Sequence, residues 1–92
     1  MRTIYKYQID PRMPLPVTFA LPSNAIIVHV AAESTGSVEE RVSIWIEHDL
    51  DSPREERTFT LVGTGHNIPA GATYVGTAIM PPFVLHVYEE TS

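Results

Sequence analysis

The sequence predicts an all-β domain, an antiparallel β-sandwich or small barrel of about seven strands, and three observations carry that prediction. Apolar residues recur with period two along most of the chain, and no window shows apolar residues at helical spacing with a cap. Proline, glycine and clusters of Asn, Asp and Ser break these runs at short intervals. The runs themselves are rich in β-branched and aromatic residues, which suit a pleated, half-buried surface. With 92 residues, 43% of them apolar, the chain can furnish one modest core, so residues 1–92 are expected to form a single domain.

The first strand is read over Arg2 to Ile9, where Thr3, Tyr5, Tyr7 and Ile9 alternate with Ile4, Lys6 and Gln8. Pro11, Pro14 and Pro16 end it, because proline cannot donate to a ladder. Val17 to Leu21 makes a short second strand with Val17, Phe19 and Leu21 on one face, and Pro22-Ser23-Asn24 turns the chain. Ala25 to Ala32 is almost wholly apolar, which predicts a central strand covered on both faces, with His29 as its one polar interior residue. After a loop from Glu33 to Ser37, Glu40 to His48 sets Val42, Ile44 and Ile46 against Arg41, Ser43, Trp45 and Glu47, and pairs with the preceding strand as a hairpin.

Asp49 to Glu56 is charged and holds Pro53, so it is expected to be an exposed loop, with the fifth strand beginning at Arg57. That strand ends in Val62-Gly63-Thr64-Gly65-His66-Asn67-Ile68-Pro69, where the glycines permit conformations that a Cβ forbids. Alternation resumes from Thr73 to Met80, with Gly76 as a bulge or point of close approach. Pro81-Pro82 turns the chain into a last strand from Phe83 to Tyr88, followed by a frayed Glu-Glu-Thr-Ser tail.

Composition excludes several classes of function. The chain has no cysteine, so disulfides, thiolate metal sites and cysteine nucleophiles are absent. No apolar run follows Arg2, so the start is not a secretory signal, and no segment reaches the length of a membrane span. The formal net charge is −5, with six Lys and Arg against eleven acids, which argues against general nucleic-acid binding.

No motif supplies catalysis or a cofactor site. Ser52-Pro53 is no nucleophile elbow, and the Glu39-Glu40 and Glu55-Glu56 pairs lie in polar segments that give no reason for burial. Gly63-Thr64-Gly65 lacks the third glycine of a dinucleotide loop and the lysine of a P-loop. His48 with Asp49 and Asp51 matches no metal-ligand spacing. The chain is therefore read as no enzyme, without cofactor or metal.

Binding residues are sought instead at the rim after the fifth strand. Thr64, Gly65 and His66 there can offer a side-chain donor and backbone N–H groups to an anion, in the manner of a nest. The bland alternative is that His66 only caps the turn by bonding to backbone. Arg57, if it points to this rim, would add a planar cation that binds phosphate bidentately; otherwise it belongs to a solvated charge cluster with Arg54, Glu55 and Glu56. Trp45, on the polar side of its strand, would stack on a ligand or anchor a partner, or else lie buried under a loop. His29 and His86 read as ordinary sheet histidines.

Val62-Gly63-Thr64-Gly65-His66-Asn67-Ile68-Pro69 followed by Tyr74-Val75-Gly76-Thr77, with Thr3-Ile4-Tyr5-Lys6-Tyr7 before and Phe83 to Glu89 after, resembles a small family of uncharacterised proteins common in bacteriophages and prophages. The resemblance covers nearly the whole chain and implies a genetic setting, the host cytoplasm, without an activity. Three expectations follow. In the first, a noncatalytic phage accessory protein sequesters a small anionic ligand, such as a nucleotide signal of host anti-phage defence, at a pocket between subunits of a homo-oligomer. In the second, an acidic inhibitor covers a basic surface of a host protein, steered by its negative charge. In the third, an oligomeric accessory protein has no ligand.

Overall fold

Alternation along the chain becomes seven antiparallel strands in a computed structural model, described over residues 1–34, 40–49 and 51–90. They are β1 (Arg2–Ile9), β2 (Val17–Pro22), β3 (Ile26–Ser34), β4 (Glu40–Asp49), β5 (Arg54–Gly63), β6 (Thr73–Met80) and β7 (Phe83–Glu90). Two sheets form, one of three strands in the order β1-β4-β3 and one of four in the order β2-β5-β7-β6. The arrangement is a sandwich, with no closed barrel among the described residues. The connection through Pro11 and Pro16 carries the chain from the first sheet to the second, and Ser23 to Ala25 brings it back.

The inward faces are those the alternation marks. Ile9, Val42, Ile44 and Ile46 from the first sheet meet Leu21, Phe59, Ala78, Met80 and Val87 from the second, all buried, and Val30 closes one side. Burying each of these side chains other than Ala78 is worth about 1.5–3 kcal/mol relative to exposure. The opposite series on β4, Arg41, Ser43, Trp45 and Glu47, lies on the outer face of its sheet.

Three strand readings change. β3 is an edge strand rather than a central one: it pairs only with β4, and Ile26 and Val28 stay 55% and 48% exposed. A continuous apolar run cannot distinguish two buried faces from one buried face plus an unpartnered one. A bulge between Ile27 and His29 then shifts the register, so that His29 opposes Trp45. β5 starts at Arg54 rather than Arg57, because Arg54, Glu55 and Glu56 pair with Pro22, Leu21 and Ala20 while their side chains stay in water. β7 runs on to Glu90, since Glu89 and Glu90 pair with Phe59 and Thr58. Glu33 and Ser34, expected to open a loop, instead end β3, paired with Arg41 and Glu40; residues 35–37 of that loop and the end of the tail lie outside the described residues.

Gly76 fulfils both readings given to it. The β6–β7 register shifts between Tyr74 and Gly76, and a Cβ built at Gly76 would stand 2.7 Å from Val30 Cγ2 and 2.8 Å from Val30 Cβ. Glycine there lets β6, the edge of one sheet, approach β3, the edge of the other.

Candidate functional site

The rim is built by two successive tight turns. His66 N–H donates to Gly63 O at 3.0 Å, with Gly65 at φ +88° in the third position, where a type II turn needs a residue that tolerates positive φ. Ala72 N–H likewise donates to Pro69 O at 3.2 Å, with Gly71 at φ +77°. Gly63 serves a different purpose: its missing Cβ leaves room for the His66 ring, whose Nδ1 would otherwise lie 2.9 Å from it.

His66 itself is exposed, and among the described residues its ring makes no hydrogen bond. The backbone of His66 closes the turn, so the capping role considered for its side chain is not what the geometry shows. The N–H groups of Gly65 and Asn67 are also uncommitted among the described residues.

Thr64 and His66 form a wall shared by two depressions. On one side is a cleft of about 560 Å³ between Pro11 and Leu15 of the β1–β2 connection, Pro82 of the β6–β7 turn, Phe83 at the start of β7, and Leu61 and Leu85. On the other is a hollow of about 230 Å³ over the outer face of the second sheet, floored by Val62, His86 and Tyr88 and bounded by Ile68. No Asp, Glu, Lys or Arg among the described residues lines either one. Arg12 lines an adjoining hollow that shares Pro11, Phe83 and Leu85 with the cleft. Arg12 is held by Asp10, at 3.2 Å from its Nη2, and hydrogen bonding from Arg12 holds the Asp10 carboxyl below its usual range.

Beneath the rim lies a hydrogen-bonded chain that sequence reading missed. His86 Nε2 is 3.0 Å from Thr64 Oγ1, His86 Nδ1 is 3.1 Å from Thr77 Oγ1, and Thr77 Oγ1 is 2.5 Å from Tyr74 Oη. The rings of Tyr74 and Tyr88 meet edge to face at 5.6 Å beside it. The signal was in the turn. A two-residue connection at Pro81-Pro82 pairs Met80 with Phe83 and hence Thr77 with His86, on the outward face where Tyr88 also points.

The other predicted residues lie elsewhere. Arg57 sits about 20 Å along β5 from the rim at the usual rise per residue. Its Nε and Nη2 grip both carboxylate oxygens of Glu89 at 2.6 and 2.7 Å, and its Nη1 donates to Ala25 O at 2.9 Å. The bond to Glu89 raises the already high pKa of the guanidinium. Arg57 is thus neither a ligand cation at the rim nor part of a solvated cluster; it is spent on holding β5, β7 and the β2–β3 connection together. Trp45 is half-buried on the outer face of the other sheet, against His29 at 5.4 Å and with Lys6 Nζ 5.9 Å from the ring centre. The structure therefore brings together Thr64, Gly65 and His66, adds His86, and separates Arg57 and Trp45 from them.

A model of one family, described as a domain of unknown function (DUF7352), matches residues 1–92. No curated protein and no solved structure matches the chain.

Proposed function

The chain belongs to the DUF7352 family, whose function is unknown, and we propose from the rim's geometry that it is a noncatalytic binding protein for a small anionic molecule with a flat apolar body. The carrying observation is the His66 ring, uncommitted among the described residues and set with Thr64 on the wall between cleft and hollow, with the uncommitted Gly65 N–H group beside them at the hollow. The cleft falls in the size range of small-molecule sites, about 300–1,000 Å³, and Leu15, Leu61, Phe83 and Leu85 offer apolar surface to a base-sized ring. Thr64, His66 and the turn N–H groups supply donors for an oxyanion. The resemblance to phage and prophage proteins supports a setting in the host cytoplasm, where such a protein would sequester a nucleotide signal of anti-phage defence.

Self-association belongs to this reading. Ile4, Ile26 and Val28 are about half exposed around Trp45 on the outer face of the three-stranded sheet. The charges there are already paired, Arg2 with Glu47 at 2.7 Å and Lys6 with Glu33 at 2.8 Å. A second copy can cover this face without stranding a charge, the circumstance in which burying ions is least costly.

The test is calorimetric titration with a panel of cyclic mono- and dinucleotides, alongside mass spectrometry of small molecules released from protein made in cells that produce them. Binding by the wild type, weakened about tenfold in His66→Ala with unchanged thermal stability, is the expected result. If no panel member binds and no nucleotide is released, this function is wrong.

The acidic end favours a second reading. Glu55, Glu56, Glu89 and Glu90 surround a hollow of about 490 Å³ in which Arg57 is the sole cation among the described residues, and it is engaged by Glu89. Such a surface fits a basic face of a host protein. Salt-sensitive capture of one basic host protein, lost in Glu55→Lys/Glu56→Lys, would select this reading over the first.

A further inference from the structure

We propose that His86 sets the hydrogen-bonding polarity of the rim through Thr64, and that the rim receives an oxyanion, of a phosphate or a carboxylate, with His86 in its Nε2–H tautomer. The inference rests on the rim being a ligand site. It follows from counting protons along the chain Tyr74–Thr77–His86–Thr64.

Three hydrogen bonds join these four groups, at 2.5, 3.1 and 3.0 Å. Each hydroxyl carries one proton and a neutral imidazole carries one N–H, so the chain holds one proton more than its links consume. The tautomer of His86 decides which way the Thr64 hydroxyl points. With the proton on Nε2, His86 donates to Thr64 Oγ1, Thr77 donates to Nδ1 and Tyr74 donates to Thr77; the Thr64 hydroxyl proton is then released toward the rim. With the proton on Nδ1, His86 donates to Thr77, and Thr64 must give its proton to Nε2. Thr64 then shows the rim only lone pairs.

Lone pairs repel an oxyanion, whereas a released hydroxyl adds a donor beside Gly65, whose N–H is uncommitted among the described residues, and the His66 ring, both of which line the hollow with Thr64. At the other end Tyr74 is 55% exposed, so water can take the spare proton's bond when the chain runs the opposite way. Both orientations are therefore fully satisfied, and a ligand on Thr64 can choose between them. His86 touches no ligand in this scheme; it is a positioning residue that acts through Thr64.

The probe is inorganic phosphate, titrated into ¹⁵N-labelled protein at about pH 8, where histidines are ordinarily neutral. Long-range ¹H–¹⁵N spectra of the imidazoles report the tautomer. Phosphate should move the Gly65 and Asn67 amides and, together with them, shift the His86 ring nitrogens toward the Nε2–H pattern. Thr64→Val should abolish the His86 response and weaken phosphate binding roughly five- to tenfold, and Thr64→Ser should restore both. Rim amides that move while the His86 nitrogens stay still, a His86 response that persists in Thr64→Val, or no movement of the rim amides at all would each overturn the proposal. A normal His86 response in a protein that binds no nucleotide would instead sink the nucleotide reading and leave this one standing.

Discussion

Three residues within one turn respond differently to substitution because each occupies its place for a different reason. A Cβ at Gly65 meets nothing within 4 Å, but its φ of +88° is one that L side chains rarely adopt. Gly65→Ala should therefore cost about 1 kcal/mol through backbone conformation alone, and Gly65→Asn should recover part of it, since Asn tolerates left-handed conformations better. Gly63→Ala instead collides with the His66 ring, an exposed group that can swing aside. It should leave stability nearly unchanged yet weaken ligand capture by displacing the ring. His66→Ala removes no hydrogen bond and should shift stability by less than about 0.5 kcal/mol. Thermal melts and binding titrations on these variants check the set; a large loss of stability in His66→Ala would show that the ring holds the turn after all. The two glycines were legible in the sequence as punctuation, but their division of labour was not, because one answers to a dihedral angle and the other to a neighbour's ring.

Between elements, the Arg57–Glu89 clamp shows why a charged residue at a strand start misleads sequence reading. Alternation puts Arg57 on the same side of β5 as Phe59, and the guanidinium lies 6.0 Å from that ring. Only the pairing of β5 with β7 reveals that Glu89 waits beside it. Arg57→Ala should now cost about 1–3 kcal/mol, because it strands a partly buried carboxylate and the Ala25 carbonyl. Arg57→Lys should not restore this loss, as an ammonium cannot grip both oxygens. Urea melts of both variants decide it, and a neutral Arg57→Ala would return the residue to the class of solvated charges. Across β1, β4 and β3, Glu33 accepts hydrogen bonds from Lys6 Nζ and Ser43 Oγ, each at 2.8 Å, and the one from Lys6 is foremost in lowering its pKa from the ordinary 4.5. A carboxyl lowered by folding contributes stability that is present above its ordinary value and lost as pH falls through the lowered one. Any advantage of wild type over Lys6→Met should thus be present at neutral pH and vanish in acid. Denaturant midpoints across that range measure it, and an advantage that persists at the lowest pH would exclude this cause.

At the scale of the molecule, the all-β class and the places of β1, β4 and β6 followed from period-two alternation, because each buries one face against the opposite sheet. Which strands stand at the edges did not follow, since edges are set by pairing order, and the apolar run of β3 reads like a central strand. Its exposed Ile26 and Val28, with Trp45, are where a second copy should dock; light scattering should give a dimer that Trp45→Ala shifts toward monomer, and a monomer at high concentration would remove the interface. The same edge carries a sharper test of how the two sheets meet. Gly76 faces Val30 so closely that a methyl group there would reach 2.8 Å from Val30 Cβ, an atom fixed to the backbone that cannot rotate away. The sheets would have to part, and overpacking of this kind costs about 1–3 kcal/mol. Gly76→Ala should therefore destabilise, although glycine is ordinarily the weaker residue within a strand. Val30→Ala alone opens a cavity and is destabilising as well. Combined, the two should cost less than their sum by roughly 1 kcal/mol or more, because the smaller side chain yields the space that the new methyl needs. Additive losses would mean that β3 and β6 do not meet at this point, and the sandwich would be more open on that side than its glycine implies.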